Sequence, residues 1–201
     1  PNDGVPDFVA DELRISAQGS LPNLEIAGNS LPVISSQLGD ITITDYESVG
    51  EFSPGLNGVE VFAPAGSVFI VTPGSVEIIG IDAGGSHVDV ESLTGSISVV
   101  EDPSGFAINS GAYVSLVTFN SLLVSGGVLA PEGQEYRGQT LIFGENATLS
   151  GKELTLEADS SFVIDDSLNV TRRIELVSNA GNVNIEGGLA SGQLDEIVVI
   201  A

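Results

Sequence analysis

Hydrophobic and polar residues alternate in short runs along this chain from about residue 24 onward. In each run two apolar residues flank a residue that is usually polar, as in Val76-Glu77-Ile78. Because successive side chains of a β-strand point to opposite faces, this period of two predicts short strands with one dry face and one wet face. The pattern therefore indicates an all-β chain.

A recurring Gly-Ser pair marks the corners between these predicted strands. A short unit of strand and tight corner that repeats is typical of a solenoid, in which each coil stacks on the one before it. The strand starts at 24, 41, 59, 76, 97 and 114, and again at 122, 141, 162 and 182, are 17 to 21 residues apart, the length of one coil. We therefore predict a right-handed parallel β-helix of about eight coils. The pairs are Gly66-Ser67, Gly74-Ser75, Gly85-Ser86 and Gly95-Ser96.

A β-sandwich is the alternative fold, because it also consists of short alternating strands. Two features favour the solenoid. Hairpin dipeptides, on which antiparallel strands depend, are limited to Asp3-Gly4 and Asn57-Gly58. The Gly-Ser corners are also spaced too evenly for the mixture of short hairpins and long crossovers in a Greek key.

Two stretches interrupt the alternation and divide the chain. Residues 1–23 contain three prolines and are predicted to be an N-terminal arm or cap, which leaves 24–201 as the β-helix domain. Residues 125–140 contain Pro131 and several glycines, and they are predicted to be a loop inserted in one coil.

The composition fits a thin, regular core and restricts the chemistry. Hydrophobic residues make up 42% of the chain but aromatic residues only 5%, so Val, Ile and Leu must form the core. Cysteine is absent, which excludes disulfides, thiolate metal sites and thiol nucleophiles. The formal net charge of −23 repels nucleic acid and anionic membranes and attracts divalent cations. No apolar stretch has the length of a membrane span.

Residues 133–151 read Gly-Gln-Glu-Tyr-Arg-Gly-Gln-Thr-Leu-Ile-Phe-Gly-Glu-Asn-Ala-Thr-Leu-Ser-Gly. They resemble the recurrent Gln-x-Tyr-x-Gly phrase, followed by Leu and by Thr-Leu-Ser-Gly, of filamentous haemagglutinin-like bacterial adhesins. Residues 174–187 resemble the strand repeats of these proteins, which are rich in Gly, Asn and Ile. The resemblance covers about residues 59–190. The sequence departs from the family in lacking its large N-terminal secretion domain. It implies a secreted right-handed β-helix, displayed at the cell surface as a filament for attachment, aggregation or matrix formation.

Acidic residues near strand ends are the candidates for a cation site. Calcium takes oxygen ligands from carboxylates and backbone carbonyls. We expect calcium as the candidate ligand and no cofactor that the chain requires. The preferred carboxylates are Asp82, Asp89, Glu91, Asp165 and Asp166, with Glu101-Asp102 and Asp195-Glu196 as further pairs.

Residues suited to catalysis are few. His87 is the only histidine, and a lone histidine at a strand edge is more often a corner residue than a base. Arg172 and Arg173 follow two aspartates, an arrangement that a polysaccharide-cleaving β-helix could use and that also fits a surface charge pair. We therefore predict that the protein is not an enzyme, with a carbohydrate-binding or polysaccharide-cleaving β-helix as the alternative.

The run Ile197-Val198-Val199-Ile200 is predicted to be the assembly strand. An end strand without a polar cap is a template for another strand, so we expect a homopolymer formed by end-to-end stacking or strand addition. The preferred function is an extracellular structural or adhesive protein, a segment or subunit of a surface filament that contacts cell-surface carbohydrate. A β-sandwich fibre subunit with donated strands is the third hypothesis.

Overall fold

A computed structural model describes residues 8–9, 12–27, 31–45, 55–100, 106–164, 168–180, 183–185 and 194–200. The regular secondary structure of these residues consists of β-strands, and the strands form a parallel β-solenoid of about eight turns. The predicted all-β parallel β-helix is therefore confirmed. The β-sandwich is wrong, because every pairing between described strands is parallel.

The described residues contain nineteen strands. In chain order they are β1 (Phe8–Val9), β2 (Glu12–Ala17), β3 (Leu21–Ala27), β4 (Leu31–Ser36), β5 (Ile41–Asp45), β6 (Leu56–Phe62), β7 (Val68–Thr72), β8 (Val76–Ala83), β9 (His87–Ser92), β10 (Ile97–Val99), β11 (Phe106–Ser110), β12 (Tyr113–Thr118), β13 (Ser121–Val124), β14 (Gly127–Leu129), β15 (Gly133–Phe143), β16 (Thr148–Ile164), β17 (Asn169–Ser178), β18 (Val183–Ile185) and β19 (Glu196–Ile200).

The strands stack in three ladders, which we call faces A, B and C. Face A consists of β1, β3, β5, β7, β9, β12, the first half of β15, the middle of β16, the second half of β17, and β19. Face B consists of β2, β4, the ends of β6 and β8, β11, β14 and the starts of β16 and β17. Face C consists of the starts of β6 and β8, β10, β13, the ends of β15 and β16, and β18.

The coil length predicted from strand spacing agrees with the stacking on face C. There Leu122 stacks on Leu141, Leu141 on Phe162 and Phe162 on Val183. The predicted series 122, 141, 162 and 182 therefore lies within one residue of a true stack.

Three steps of the earlier series join strands of one face, as where Val76 stacks on Ile97, but its other two steps join strands of different faces and are wrong. Ile41 stacks on Val68 rather than near residue 59, and Ile97 stacks on Leu122 rather than near residue 114. Strands of all three faces have similar lengths and the same alternation. Spacing alone therefore cannot assign a strand to its face.

The interior consists of columns of side chains, with one member from each turn. Val68, Val88 and Val114 are fully buried members of one column on face A. Removing an aliphatic side chain of this size from water contributes about 1.5–3 kcal/mol. Burial of these columns is therefore the main force that holds successive turns together. The same column continues with Gln134, Leu154 and Ile174.

The Gly-Ser pairs are corners at which the backbones of successive turns meet. A Cβ atom on Gly95 would lie 2.3 Å from the backbone of Gly74, so a larger residue does not fit. The serine then bonds across the turns, since Ser75 Oγ accepts a hydrogen bond from the backbone N–H of Ser96 at 3.1 Å. The Gly74-Ser75 and Gly95-Ser96 corners are thus joined by a close backbone approach and a hydrogen bond between turns.

Residues 1–23 were expected to precede the regular coils, but stacking begins within them. Strand β2 lies in this segment and pairs in parallel with β4, so the boundary at residue 24 is too late. Pro1 and Pro6 lie outside the described residues, and Pro22 is tolerated in a strand. Pro22 lies in β3, where the register shifts between Leu21 and Leu24.

Residues 125–140, predicted to be an inserted loop, belong to the solenoid. They contain β14 and the first half of β15, which pairs with β12 on one side and β16 on the other. The alternation was hidden because Gln134 and Tyr136 occupy inward positions. Tyr136 Oη donates to Gln134 Oε1 at 2.7 Å, and Gln134 Nε2 donates to the carbonyls of Val128 and Ser150 at 3.2 and 2.8 Å, so the buried polar groups are satisfied.

Candidate binding groove

The outward side chains of face A show how an acidic chain can stack its strands. Adjacent strands in a sheet lie about 4.8 Å apart, and like charges directly opposite each other are destabilising. Among the described strand pairs, no acidic residue stands opposite another acidic residue. One column alternates carboxylates with hydroxyls: Asp89, Ser115, Glu135, Thr155 and Glu175.

Face B carries a groove where β4, β6, β8 and β11 lie side by side. Its volume is about 480 Å³, which is within the range of sites that bind small organic ligands. The side chains and backbone that define it are those of Glu60, Phe62, Gly80, Asp82, Phe106 and Asn109.

Gly80 leaves the groove open. It pairs with Glu60, and a Cβ atom on Gly80 would have no other heavy atom within 4 Å, so packing does not require glycine at this position. The preceding residue, Ile79, is an extra residue of β8 relative to β6, which makes a β-bulge. Bulges bend a strand and redirect its side chains, and a strand glycine often marks a place where a ligand approaches the backbone.

Two phenylalanines form the apolar part of the groove. Phe62 is 50% exposed and Phe106 is 42% exposed. Both project from face B into the groove, where outward positions elsewhere on this face are mostly polar. Half-exposed aromatic rings with polar neighbours are typical of ligand-contact sites.

The polar part of the groove centres on Asp82. Asp82 stacks between Phe62 and Asn109, and Asn109 Nδ2 donates to Asp82 Oδ1 at 3.1 Å. A carboxylate can accept about four hydrogen bonds, so Asp82 retains capacity for the hydroxyls of a ligand. Glu60 is a second carboxylate, and none of the described residues that line the groove is Lys, Arg or His.

The structure separates the first three calcium candidates. Asp82 lies in the groove on face B, whereas Asp89 and Glu91 lie on β9 of face A. Within the described ranges, no group of three or more His, Cys, Asp or Glu side chains has a geometry that could hold a metal ion.

Of the other acidic candidates, Asp195 is exposed, Glu196 is paired, and the rest lie outside the described residues. Glu196 forms an ion pair with Arg173 at 3.1 Å. Calcium binding by the four candidates that lie outside the described residues stays a prediction. These are Glu101, Asp102, Asp165 and Asp166.

The carboxyl of Asp89 on face A has a shifted pKa although its side chain is exposed. Partial burial raises the pKa of Asp89 above its ordinary value, while a hydrogen bond with Ser115 lowers it. The negative charge of Glu135 raises this pKa further, and His87 lowers it. The same alternating column that separates carboxylates thus still leaves one of them partly desolvated.

The single histidine lies at the start of β9. His87 Nδ1 is in hydrogen-bond contact with Ser86 Oγ, and its ring centroid is 6.2 Å from that of Tyr113 on the next turn. These contacts are those of a corner residue.

The two arginines predicted to lie near a carboxylate site form ion pairs on face A. Arg172 binds Glu153 at 2.9 Å, and Arg173 binds Glu175 at 3.0 Å. All four side chains are a quarter or more exposed, so these ion pairs are of the weakly stabilising surface kind.

The sequence interpretation missed the groove. Phe62 gave a signal, because it follows Val59-Glu60-Val61 at a position where the alternation calls for a polar residue. Gly80 gave no such signal in the sequence, since a glycine with open space around it and a corner glycine look the same there.

The part of the chain that the structure describes has no helix able to cross a membrane. A scan against family models, a search of curated proteins and a search of solved structures each gave no match. The fold of the described residues is a parallel β-solenoid. The likeness to filamentous haemagglutinin-like adhesins is carried by the sequence phrases alone.

Proposed function

We propose that this chain is a non-enzymatic extracellular structural and adhesive protein that attaches to a neutral polysaccharide through the groove of face B. The observation that carries the proposal is the grouping of two half-exposed rings, Phe62 and Phe106, with the Asp82–Asn109 hydrogen bond beside the open backbone of Gly80. Aromatic rings pack against the CH faces of sugars, while carboxylates and amides bond to sugar hydroxyls.

Charge favours a neutral ligand. The chain has a formal net charge of −23, and the groove adds the carboxylates of Glu60 and Asp82. Both repel acidic polysaccharides and nucleic acid. A ligand without charge loses nothing by entering this field.

The shape of the groove favours a chain molecule. The groove extends over four neighbouring strands, which at about 4.8 Å per step corresponds to roughly 14 Å. This is the length of a short oligosaccharide. The groove lies on the outer surface of face B, so a longer polysaccharide can continue beyond it at both ends.

Hydrolysis of the same ligand is the second candidate function. Glycosidases use two carboxylates, and Glu60 and Asp82 both line the groove. A lyase is not favoured, because none of the described residues that line the groove is a Lys, Arg or His that could act as its base; hydrolysis by the two carboxylates is distinguished from binding alone by experiment. Release of new reducing ends from a bound polysaccharide would favour the enzymatic function.

Calorimetry with a panel of oligosaccharides tests the proposal. The panel contains neutral glucans, mannans, galactans and chitin fragments, with polygalacturonate and hyaluronate as acidic members. We expect binding to one or more neutral members and none to the acidic ones. The Phe62→Ala and Phe106→Ala variants should each weaken binding by about five- to thirtyfold, because each removes an aromatic contact worth about 1–2 kcal/mol.

Matched controls separate the groove from the rest of the surface. Phe69→Ala removes a partly exposed phenylalanine from face A and should leave the affinity unchanged. Gly80→Leu should block binding, whereas Gly19→Leu adds the same side chain at another open glycine and should not. Absence of binding to every neutral member, or equal losses in groove and control variants, contradicts the proposal.

Assembly into a surface filament is the other part of the proposed function. Ile197 and Val199 stack on Ile174 and Leu176, and they are 48% and 53% exposed, so a further turn from the same or another chain would cover them. Electron microscopy of purified protein should show filaments. Monomers alone at high concentration would contradict self-assembly and leave the binding proposal intact.

A further inference from the structure

The dipeptide Asn57-Gly58 does not form the hairpin turn that such a sequence usually indicates. It lies inside β6, where the register with β8 shifts between Leu56 and Val59. Two residues, Asn57 and Gly58, therefore stand opposite the single residue Glu77. Gly58 has a φ of 68°, the left-handed conformation that glycine adopts in many bulges.

We propose that Asn57 is a site of spontaneous deamidation in the folded protein. Its side chain is exposed to water, and it is the one asparagine of the chain that precedes glycine. Glycine has no side chain to hinder access to its backbone nitrogen. The bulge also takes this dipeptide out of the regular strand register, although Gly58 itself is buried.

The reaction needs only water as a co-reactant. Hydroxide removes the proton from the backbone nitrogen of Gly58, and this nitrogen attacks Cγ of Asn57. The new Cγ–N bond closes a succinimide ring while the Cγ–Nδ2 bond breaks, and the amide nitrogen takes a proton from water and leaves as ammonia. Water then opens the ring at either carbonyl, which leaves aspartate or isoaspartate at position 57.

Both products disturb the stacking described above. A new carboxylate at position 57 faces Glu77 across the ladder, an acid-on-acid pair of a kind that the described strands otherwise avoid. Isoaspartate also adds one carbon to the backbone of β6 shortly before Glu60 and Phe62, which line the groove.

Peptide mapping after incubation at mildly alkaline pH tests this proposal. The chain has no Lys or Arg between Arg14 and Arg137, so a glutamate-specific protease replaces trypsin and releases 52–60, which contains Asn57. The internal control is Asn146, which is exposed and precedes alanine, in the peptide 146–153. Mass spectrometry and labelling by an isoaspartyl methyltransferase report the conversion.

We expect the Asn57 peptide to convert at least about tenfold faster than the Asn146 peptide, because glycine leaves the attacking nitrogen unhindered. Equal rates, or fast conversion only after the chain is unfolded, would overturn the proposal. The Asn57→Gln variant should lose most of the isoaspartyl label while keeping the fold, since the side chain at 57 is exposed. Retention of the label in this variant would also overturn it.

Discussion

The turns formed by residues 55–125 and those formed by 127–200 have the same architecture but hold their strands together differently. In the first region, corner glycines meet the backbone of the preceding turn, and hydroxyls bond across the corner. Thr118 Oγ1, for example, donates to the carbonyl of Gly95 at 2.6 Å, and Ser92 Oγ donates to that of Gly74 at 2.7 Å. The sequence between residues 15 and 136 contains no Lys or Arg.

The second region keeps one such backbone contact at Gly151, where a Cβ atom would lie 2.3 Å from the carbonyl oxygen of Ala130, but it adds more side-chain contacts. Tyr136 and Phe143 pack edge to face in the core with centroids 5.4 Å apart. On the surface, Arg137 binds Glu157 at 2.9 Å, and Lys152 binds Glu132 at 2.8 Å. The comparison teaches that one stacking geometry can be reached through backbone contact at the corners or through larger side chains inside and outside the coil.

The largest effect is expected at a glycine corner of the first region. In Gly95→Ala the new methyl group would lie 2.3 Å from the backbone of Gly74 and Ser75, so we expect a loss of about 3 kcal/mol in the free energy of unfolding. Gly144→Ala is the control in the second region, because its nearest neighbour is Ser125 Oγ at 3.5 Å. Urea denaturation measures both. Equal losses would remove the distinction between the two regions.

An intermediate effect is expected in the core of the second region. Tyr136→Phe removes the hydroxyl that Gln134 Oε1 accepts from, and a buried acceptor without a partner costs about 1–3 kcal/mol. Tyr113→Phe is the matched control, since it removes a hydroxyl that donates to Glu135 near the surface. Thermal unfolding should show a clear decrease for the first variant and little change for the second. A similar shift in both would assign the loss to something other than burial.

The smallest effect is expected in the alternating column of face A. Thr155→Glu places a carboxylate between Glu135 and Glu175, which should cost about 0.5–1 kcal/mol at low salt and much less at high salt. Thr155→Gln has a similar shape without the charge and should show no salt dependence. If the two variants respond to salt alike, separation of like charges does not determine which residues alternate in this column.

The alternation of apolar residues predicted most of the fold because inward positions are mostly Val, Ile and Leu. It failed where an inward position is polar, as at Gln134, and where prolines lie in strands, as at Pro22. The groove was not predictable for a different reason. It depends on the bulge at Ile79 and on the empty space above Gly80, and both arise from the register between turns rather than from local pattern.

Strand pairing that joins each turn only to its immediate neighbours has a consequence for how the molecule opens. Solenoids of this kind behave as one-dimensional arrays, in which unfolding that starts at one end proceeds from each turn to the next. Strand β19 pairs only with β17 among the described strands, whereas β8 of the groove pairs on both sides, with β6 and with β11. Fraying at β19 would therefore have to pass through several turns before it altered the surface at Asp82.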